Sequence, residues 1–197
     1  MSAAHKPAFI DCNAIAPQTL HVISKPFVER GLPFIDASII GAAPKGDDAG
    51  PRFYMSGRIS SEAETLRGLG LDTRVLSEQL GDASALKMAY AGITKGFTAL
   101  GAAMMLAATR GGSAEALKAE LEESLGPQLA YLSRGVPSMY SKAYRWVAEM
   151  EEIAGFIGED HAESEIFTAM ARFYERIAAD HDGDGKETGA LNDFLKK

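Results

Sequence analysis

Two stretches of the 197-residue chain carry residue types spaced for chemistry. In GDASALKMAYAGITKGFTALGAAMMLAATRGG, Ser84, Lys87, Thr94, Lys95 and Thr98 advance by 3, 7, 1 and 3 positions. At helical spacing they fall on one arc roughly 100° wide, so an otherwise apolar helix carries a single polar seam with two lysines on it. A buried ammonium is costly unless it meets a carboxylate, a phosphate or a substrate, so lysines confined to one seam suggest a cleft wall. The other reading is that Lys87 or Lys95 snorkels to solvent at the edge of a less buried helix; spacing leaves both open. The second stretch, DHDGDGKETGAL, spells the first half of a calcium loop with Asp180, Asp182, Asp184 and Gly185. Its twelfth position is Leu191, where calcium needs a bidentate Glu, and its eighth is Glu187, usually an aliphatic residue. No metal site is expected, and the stretch reads as a turn.

Other chemistries lack their residues. His5, His21, His161 and His181 are scattered, and there is no H-x-x-x-H or C-x-x-C spacing, Walker sequence or G-x-S-x-G elbow. Cys12 has no identifiable histidine partner and reads as a buried strand cysteine. One cysteine excludes an internal disulfide framework. The net charge of -7 without a Lys/Arg cluster argues against nucleic acid and anionic membranes as partners. The run ALGAAMMLAAT is about half a membrane span and belongs to a helix with lysines, so no transmembrane segment is read. The start MSAAHKPAFID has no apolar run of signal-peptide length, and a cytoplasmic location is expected.

The elements that must position these residues divide into two kinds. Residues 1–80 alternate strand-like and helix-like runs: AFIDC, a helix opened by Pro17 and ended by Gly31, LPFIDASII, a Gly/Pro/Asp-rich loop, RFYMS, a helix at SEAETLRGL with Ser61 and Glu64 spaced as a capping box, and TRVL. Residues 81–197 are helix-periodic. The first helix there, starting at Asp82 and Ser84 and stopped by Gly111 and Gly112, is expected to be surrounded by protein, its small residues admitting neighbouring helices closely. Apolar stripes follow at Ala143, Trp146, Val147, Met150, Ile153, Ala154 and Ile157, and at Ile166, Met170, Phe173, Tyr174 and Ile177. The fold class is α+β, a short α/β part followed by an all-α part.

The succession FIDCNAIAP, FIDASIIGAAP, FYMSG and GDASALKMAYAG resembles, over nearly the whole chain, the β-hydroxyacid dehydrogenase and 6-phosphogluconate dehydrogenase superfamily. There a D-x-(S/N)-x-x-x-P turn closes the cofactor domain, a D-A-P-V-S-G-G-like segment binds substrate, and a G-x-x-x-x-x-K-x-x-x-N helix supplies the catalytic lysine. ITKGFTALGAAMMLAA and RWVAEMEEIA are similar to the branch with a poorly characterised helical C-terminal domain after the NAD domain. The resemblance implies a Rossmann-type remnant in 1–80 and a helical substrate and dimerisation domain in 81–197. It implies that Asn13, in the turn Asp11 to Pro17, lies near the nicotinamide. Ser38 and Gly41, in the segment Asp36 to Gly41, would touch substrate. Lys87 matches the lysine that polarises or exchanges a proton with the substrate hydroxyl, a role open to a desolvated lysine.

Two positions depart from the pattern: Ala91 stands where the helix Asn is expected and Ile40 where the substrate Ser is, so an ordinary β-hydroxyacid is not the expected substrate. Lys95 is the candidate to bind an anionic group instead. The sequence contains no G-x-G-x-x-G, the turn that receives the pyrophosphate. The chain opens a few residues before what resembles the last part of the cofactor domain, as a fragment, a mis-started product or a naturally shortened relative would. The expectation is an NAD(P)-dependent oxidoreductase acting on a small molecule and dimeric through its helices, using NAD or NADP that this chain alone does not bind tightly. The alternative is a non-catalytic helical dimerisation module derived from such an enzyme.

Overall fold

The structure, a computed structural model, describes residues 7–44, 46, 50–59 and 61–196; His5 lies outside them. The chain folds as two compact units, Met1–Tyr90 and Ala91–Lys197.

The first unit is built on four strands in the order β1-β2-β3-β4: β1 (Phe9–Asp11), β2 (Phe34–Ile40), β3 (Arg52–Gly57) and β4 (Asp72–Ser77). β1 and β2 are parallel and joined by helix α1 (Pro17–Val28), β2 and β3 are antiparallel, and β3 and β4 are parallel and joined by α2 (Glu62–Gly68). Because side chains alternate along a strand, β2 has two characters. Ile35 and Ala37 face one way and form an apolar cluster with Met55 and Ala63 of α2. Phe34, Asp36 and Ser38 face the other way. There Phe34 joins an aromatic cluster with Phe9 and Phe27 of α1, at centroid distances of 4.7 to 5.4 Å. The predicted capping box at α2 does not form. Ser61 makes no side-chain cap bond, and Thr65 Oγ1 instead donates to the Ser61 carbonyl at 2.8 Å.

Helix α3 (Asp82–Arg110) runs unbroken for 29 residues and stops where Gly112 takes a φ of +73°. It is long and apolar enough to cross a membrane by length and composition, but 44% of its most apolar window is buried inside the fold. In the second unit its glycines admit neighbours closely: a Cβ on Gly101 would come within 2.6 Å of the Leu132 side chain, and one on Gly92 within 3.3 Å of Phe167. The expectation that α3 is surrounded holds for one side only. Ile93, Phe97, Leu100 and Met104, spaced four, three and four residues apart, are exposed, Ile93 at 73%. Composition gave no sign of this, since the open face is as apolar as the covered one.

The rest of the second unit comprises α4 (Ala114–Ser124), α5 (Gly126–Met139), a 3₁₀ turn at Tyr140–Lys142, α6 (Ala143–Ile157), α7 (Glu163–Asp182) and α8 (Lys186–Leu195). α6 and α7 pack on each other through the predicted stripes, with Met150, Ile153, Tyr174 and Ile177 buried. Ile166 is the exception and is exposed. The DHDGDGKETGAL stretch is the α7–α8 turn. Gly185 takes a φ of +65°, and Asp180 accepts from the Glu187 and Thr188 amides at 2.9 and 2.8 Å, capping α8. No group of three or more potential metal ligands exists among the described residues.

Candidate active site

The polar face of the first unit's sheet carries Ser38, the one candidate site residue read from sequence that lies within a strand. Asp11 and Asp36 are register partners on β1 and β2, and Ser56 of β3 pairs with Asp36. All three are buried. Asp36 Oδ1 accepts from Ser84 Oγ at 2.8 Å; Oδ2 accepts from the Ser84 amide at 2.9 Å and from Ser56 Oγ at 3.0 Å. The Ala83 amide donates to Ser56 Oγ at 3.0 Å. Gly81, just before α3, has no side chain with which to cap it, so β2 and β3 supply the acceptors for its first amides.

One turn after Ser84, half-buried Lys87 extends back to β2, where its Nζ donates to the Ile39 carbonyl at 2.8 Å. Among the described residues it forms no ion pair. One neutral carbonyl leaves two ammonium hydrogens for another partner. Next to Ile39, Ser38 is 1% exposed, and its Oγ has no hydrogen-bond partner among the described residues; Asp11 Oδ2 is a second buried atom in that condition. Unsatisfied buried polar atoms are uncommon and call for an explanation.

Asn13 is exposed in the turn after β1. Its amide donates to Asp11 Oδ1 at 3.0 Å and its Nδ2 to the same atom at 2.5 Å. Cys12, expected to be buried in the strand, is exposed just beyond its end. Partial desolvation, then the nearby Asp11 and Asp36 carboxylates, hold its thiol above the ordinary value, which disfavours the nucleophilic thiolate. Gly41 has a φ of +131°, and a Cβ there would lie 3.1 Å from Pro51 Cα. It lines a groove of about 510 Å³ with Ile40, Arg52, Asp72 and Arg74. A groove of about 790 Å³ elsewhere in this unit, between α1 and the turns around Arg58 and Gln79, is not lined by Lys87.

The second lysine of the seam lies in the other unit and is neutralised. Lys95 pairs with Glu149 of α6, and its Nζ sits 4.9 Å from the centre of the Trp146 ring. Tyr174 donates its hydroxyl to the Lys95 carbonyl at 2.6 Å, and burial, reinforced by Glu149, raises the phenol's pKa so that it stays a donor. Thr94 and Thr98 donate to the α3 carbonyls of Ala91 and Thr94. The lysines thus differ in a way their spacing concealed: among the described residues Lys95 has a carboxylate partner and Lys87 has none. Sequence reasoning missed the Asp36–Ser56–Ser84 network; the available signal was a glycine ahead of a long helix together with an aspartate in an apolar strand.

Comparison with known proteins bears on this arrangement. The chain is 29% identical over 155 residues to an uncharacterised 28.5 kDa protein of Methanothermus fervidus, covering 77% of this chain but only 59% of that protein's length. The solved structure of the conserved protein MTH1747, of unknown function and reported as structurally similar to 3-hydroxyacid dehydrogenases, matches at 29% identity and a TM-score of 0.67. It covers 91% of this chain and 68% of that one. These likenesses give the chain the fold of a protein that is itself reported as structurally similar to 3-hydroxyacid dehydrogenases. A conserved hypothetical protein of Sinorhizobium meliloti 1021 has the same fold, at 21% identity and a TM-score of 0.67 over 95% of this chain and 66% of that one. Residues 108–177 match the family model of a domain of unknown function, DUF1932. That match begins near the end of α3 and runs into α7, within the helical part of the chain.

Proposed function

We propose that the chain forms the substrate-handling part of an NAD(P)-dependent oxidoreductase of the β-hydroxyacid dehydrogenase type. In this reading residues 1–80 are the C-terminal portion of a Rossmann-like NAD(P)-binding domain and residues 81–197 a helical substrate and dimerisation domain. The observation that carries it is Lys87: a half-buried ammonium that donates to one neutral carbonyl and, among the described residues, has no carboxylate neutralising it. Its free hydrogens can polarise a substrate oxygen or pass it a proton. Ser38 Oγ, buried beside that carbonyl, is a donor and acceptor awaiting a partner.

Asp11 Oδ2 and Ser38 Oγ are buried polar atoms, unpaired among the described residues, that would meet the polar end of a nicotinamide nucleotide or its substrate once uncovered, and Asn13 is bonded to Asp11. Nothing in the sequence fits the pyrophosphate, because no G-x-G-x-x-G is present. The nicotinamide, when bound, supplies or accepts the hydride; this chain's residues bind and orient the substrate and move its proton. Titration with NADH and NADPH should give little or no binding to this chain alone. Micromolar binding would overturn the placement of the phosphate site outside it.

A second reading, a helical dimerisation module, is favoured by the exposed Ile93, Phe97, Leu100 and Met104 face. Apolar surface of this extent along one helix is characteristic of an interface. The two readings are compatible, since an enzyme of this kind can also dimerise through its helices. Size exclusion with light scattering should give a homodimer.

A further inference from the structure

Asp36 is 1% exposed, yet every hydrogen-bond partner it has is a hydroxyl or an amide. A buried carboxylate satisfied in this way, at the positive end of a 29-residue helix, anchors that helix from a neighbouring strand. The first turn of α3 has no cap of its own from Gly81, so it depends on Asp36 and Ser56 to stay wound. Lys87 follows Ser84 by three residues, and its ammonium returns to Ile39, three residues along β2 from Asp36. Strand β2 therefore grips α3 at two points: a carboxylate holds the helix start, and a carbonyl holds the lysine one turn later. Release of the first grip frays the turn that sets the direction of Lys87, because helix ends without acceptors for their amides open most readily.

We propose that Asp36 is a positioning residue for Lys87, fixing the first turn of α3 and through it the place of the ammonium beside β2. The proposal rests on the reading of Lys87 as the acid/base group, and it adds a residue that touches neither substrate nor cofactor. It also accounts for the aspartate at the head of the Asp36 to Gly41 segment, whose buried side chain is occupied by α3.

The test is competitive labelling of lysine amines on the 197-residue chain, read by mass spectrometry, with the exposed Lys186 as internal reference. Asp36→Asn should raise the labelling of Lys87 about tenfold, the loss of roughly one hydrogen bond's worth of local protection, and Ser84→Ala should raise it by a smaller amount. Met55→Ala serves as the control. Met55 is buried on the opposite, apolar face of the same sheet in the cluster with Ile35, Ala37 and Ala63, so its truncation lowers stability while leaving the Asp36, Ser56 and Ser84 side chains in place. Labelling of Lys87 in that variant should stay within about twofold of the parent. If Asp36→Asn and Met55→Ala raise it equally, Asp36 is merely structural and the proposal is overturned. Should Asp36→Asn fail to fold, Ser84→Ala compared with Met55→Ala decides by the same criterion. Undiminished turnover in Lys87→Met, assayed with a segment supplying the pyrophosphate site joined to this chain, would instead overturn the acid/base role of Lys87, leaving the labelling contrast intact and Asp36 as a helix anchor alone.

Discussion

The Nζ of Lys87 lies 2.8 Å from the carbonyl oxygen of Ile39, a bond between residues 48 positions apart that joins the second turn of α3 to the end of β2. A carbonyl can hold an ammonium in place without discharging it, whereas a carboxylate would compete with any substrate for the same protons. Lys87→Met should therefore leave the circular dichroism spectrum and the melting temperature nearly unchanged. It should lower turnover by about 10²- to 10⁴-fold, the usual contribution of a positioned acid/base group. The measurement is NAD(P)H fluorescence during turnover by this chain joined to a segment that supplies the pyrophosphate site.

Lys95 should behave in the opposite way. Its ammonium pairs with Glu149, and the two side chains are only 19% and 11% exposed. Glu149→Gln would leave a largely enclosed positive charge beside Trp146 and should destabilise the second unit by about 1–3 kcal/mol, below the figure for a fully buried pair because both groups keep some solvent. Lys95→Met together with Glu149→Leu should recover most of that loss, and urea denaturation of the four members of the cycle measures it. An unchanged midpoint in Glu149→Gln would show that the pair contributes nothing to stability.

Much of this architecture is legible in the sequence. The strands at Phe9, Phe34, Arg52 and Asp72, and the unbroken helix from Asp82 to Arg110, follow from local signals: β-type runs, a proline-free apolar stretch and a paired glycine stop. The seam of Ser84, Lys87, Thr94, Lys95 and Thr98 is legible as well. What separates its members is not, because Asp36 and Ser84 are 48 residues apart, and Lys95 and Glu149 are 54 apart. Spacing along one helix reports which groups share a side and says nothing of what faces them. The capping box at Ser61 fails for a related reason. The sequence pattern permits the reciprocal bonds, but Ser61 adopts φ −115°, ψ −2°, outside the extended conformation an N-cap serine normally takes.

The close approach of α3 to α5 makes Gly101 a sensitive position. A Cβ there would stand 2.6 Å from Leu132, which is itself buried and cannot swing into solvent. Gly101→Val should destabilise the second unit by about 1–3 kcal/mol through overpacking, and a valine's restricted rotamer in a helix leaves little room for relief. Urea denaturation monitored by the fluorescence of Trp146 measures it; a variant at least as stable as the parent would mean that Leu132 repacks freely.

The α7–α8 turn supplies a pH dependence whose sign follows from Asp180. Although desolvation pushes its carboxyl upward, hydrogen bonds from the Glu187 and Thr188 amides outweigh that, and the net result lies below the ordinary value of 3.8. A group whose pKa is lower in the folded state adds stability above its unfolded value and loses it as the pH falls through the folded one. The cap on α8 should thus be fully formed at neutral pH and weaken only in acid below about pH 4, since the unfolded carboxyl titrates near 3.9. Hydrogen exchange of the Glu187 and Thr188 amides should show protection at pH 7 that Asp180→Asn reduces. The melting temperature of the parent should also fall more steeply than that of the variant as the solution is acidified. Equal acid sensitivity of the two proteins would mean that the charge on Asp180 does not hold the turn, leaving its closure to burial of Leu191 and Phe194 alone.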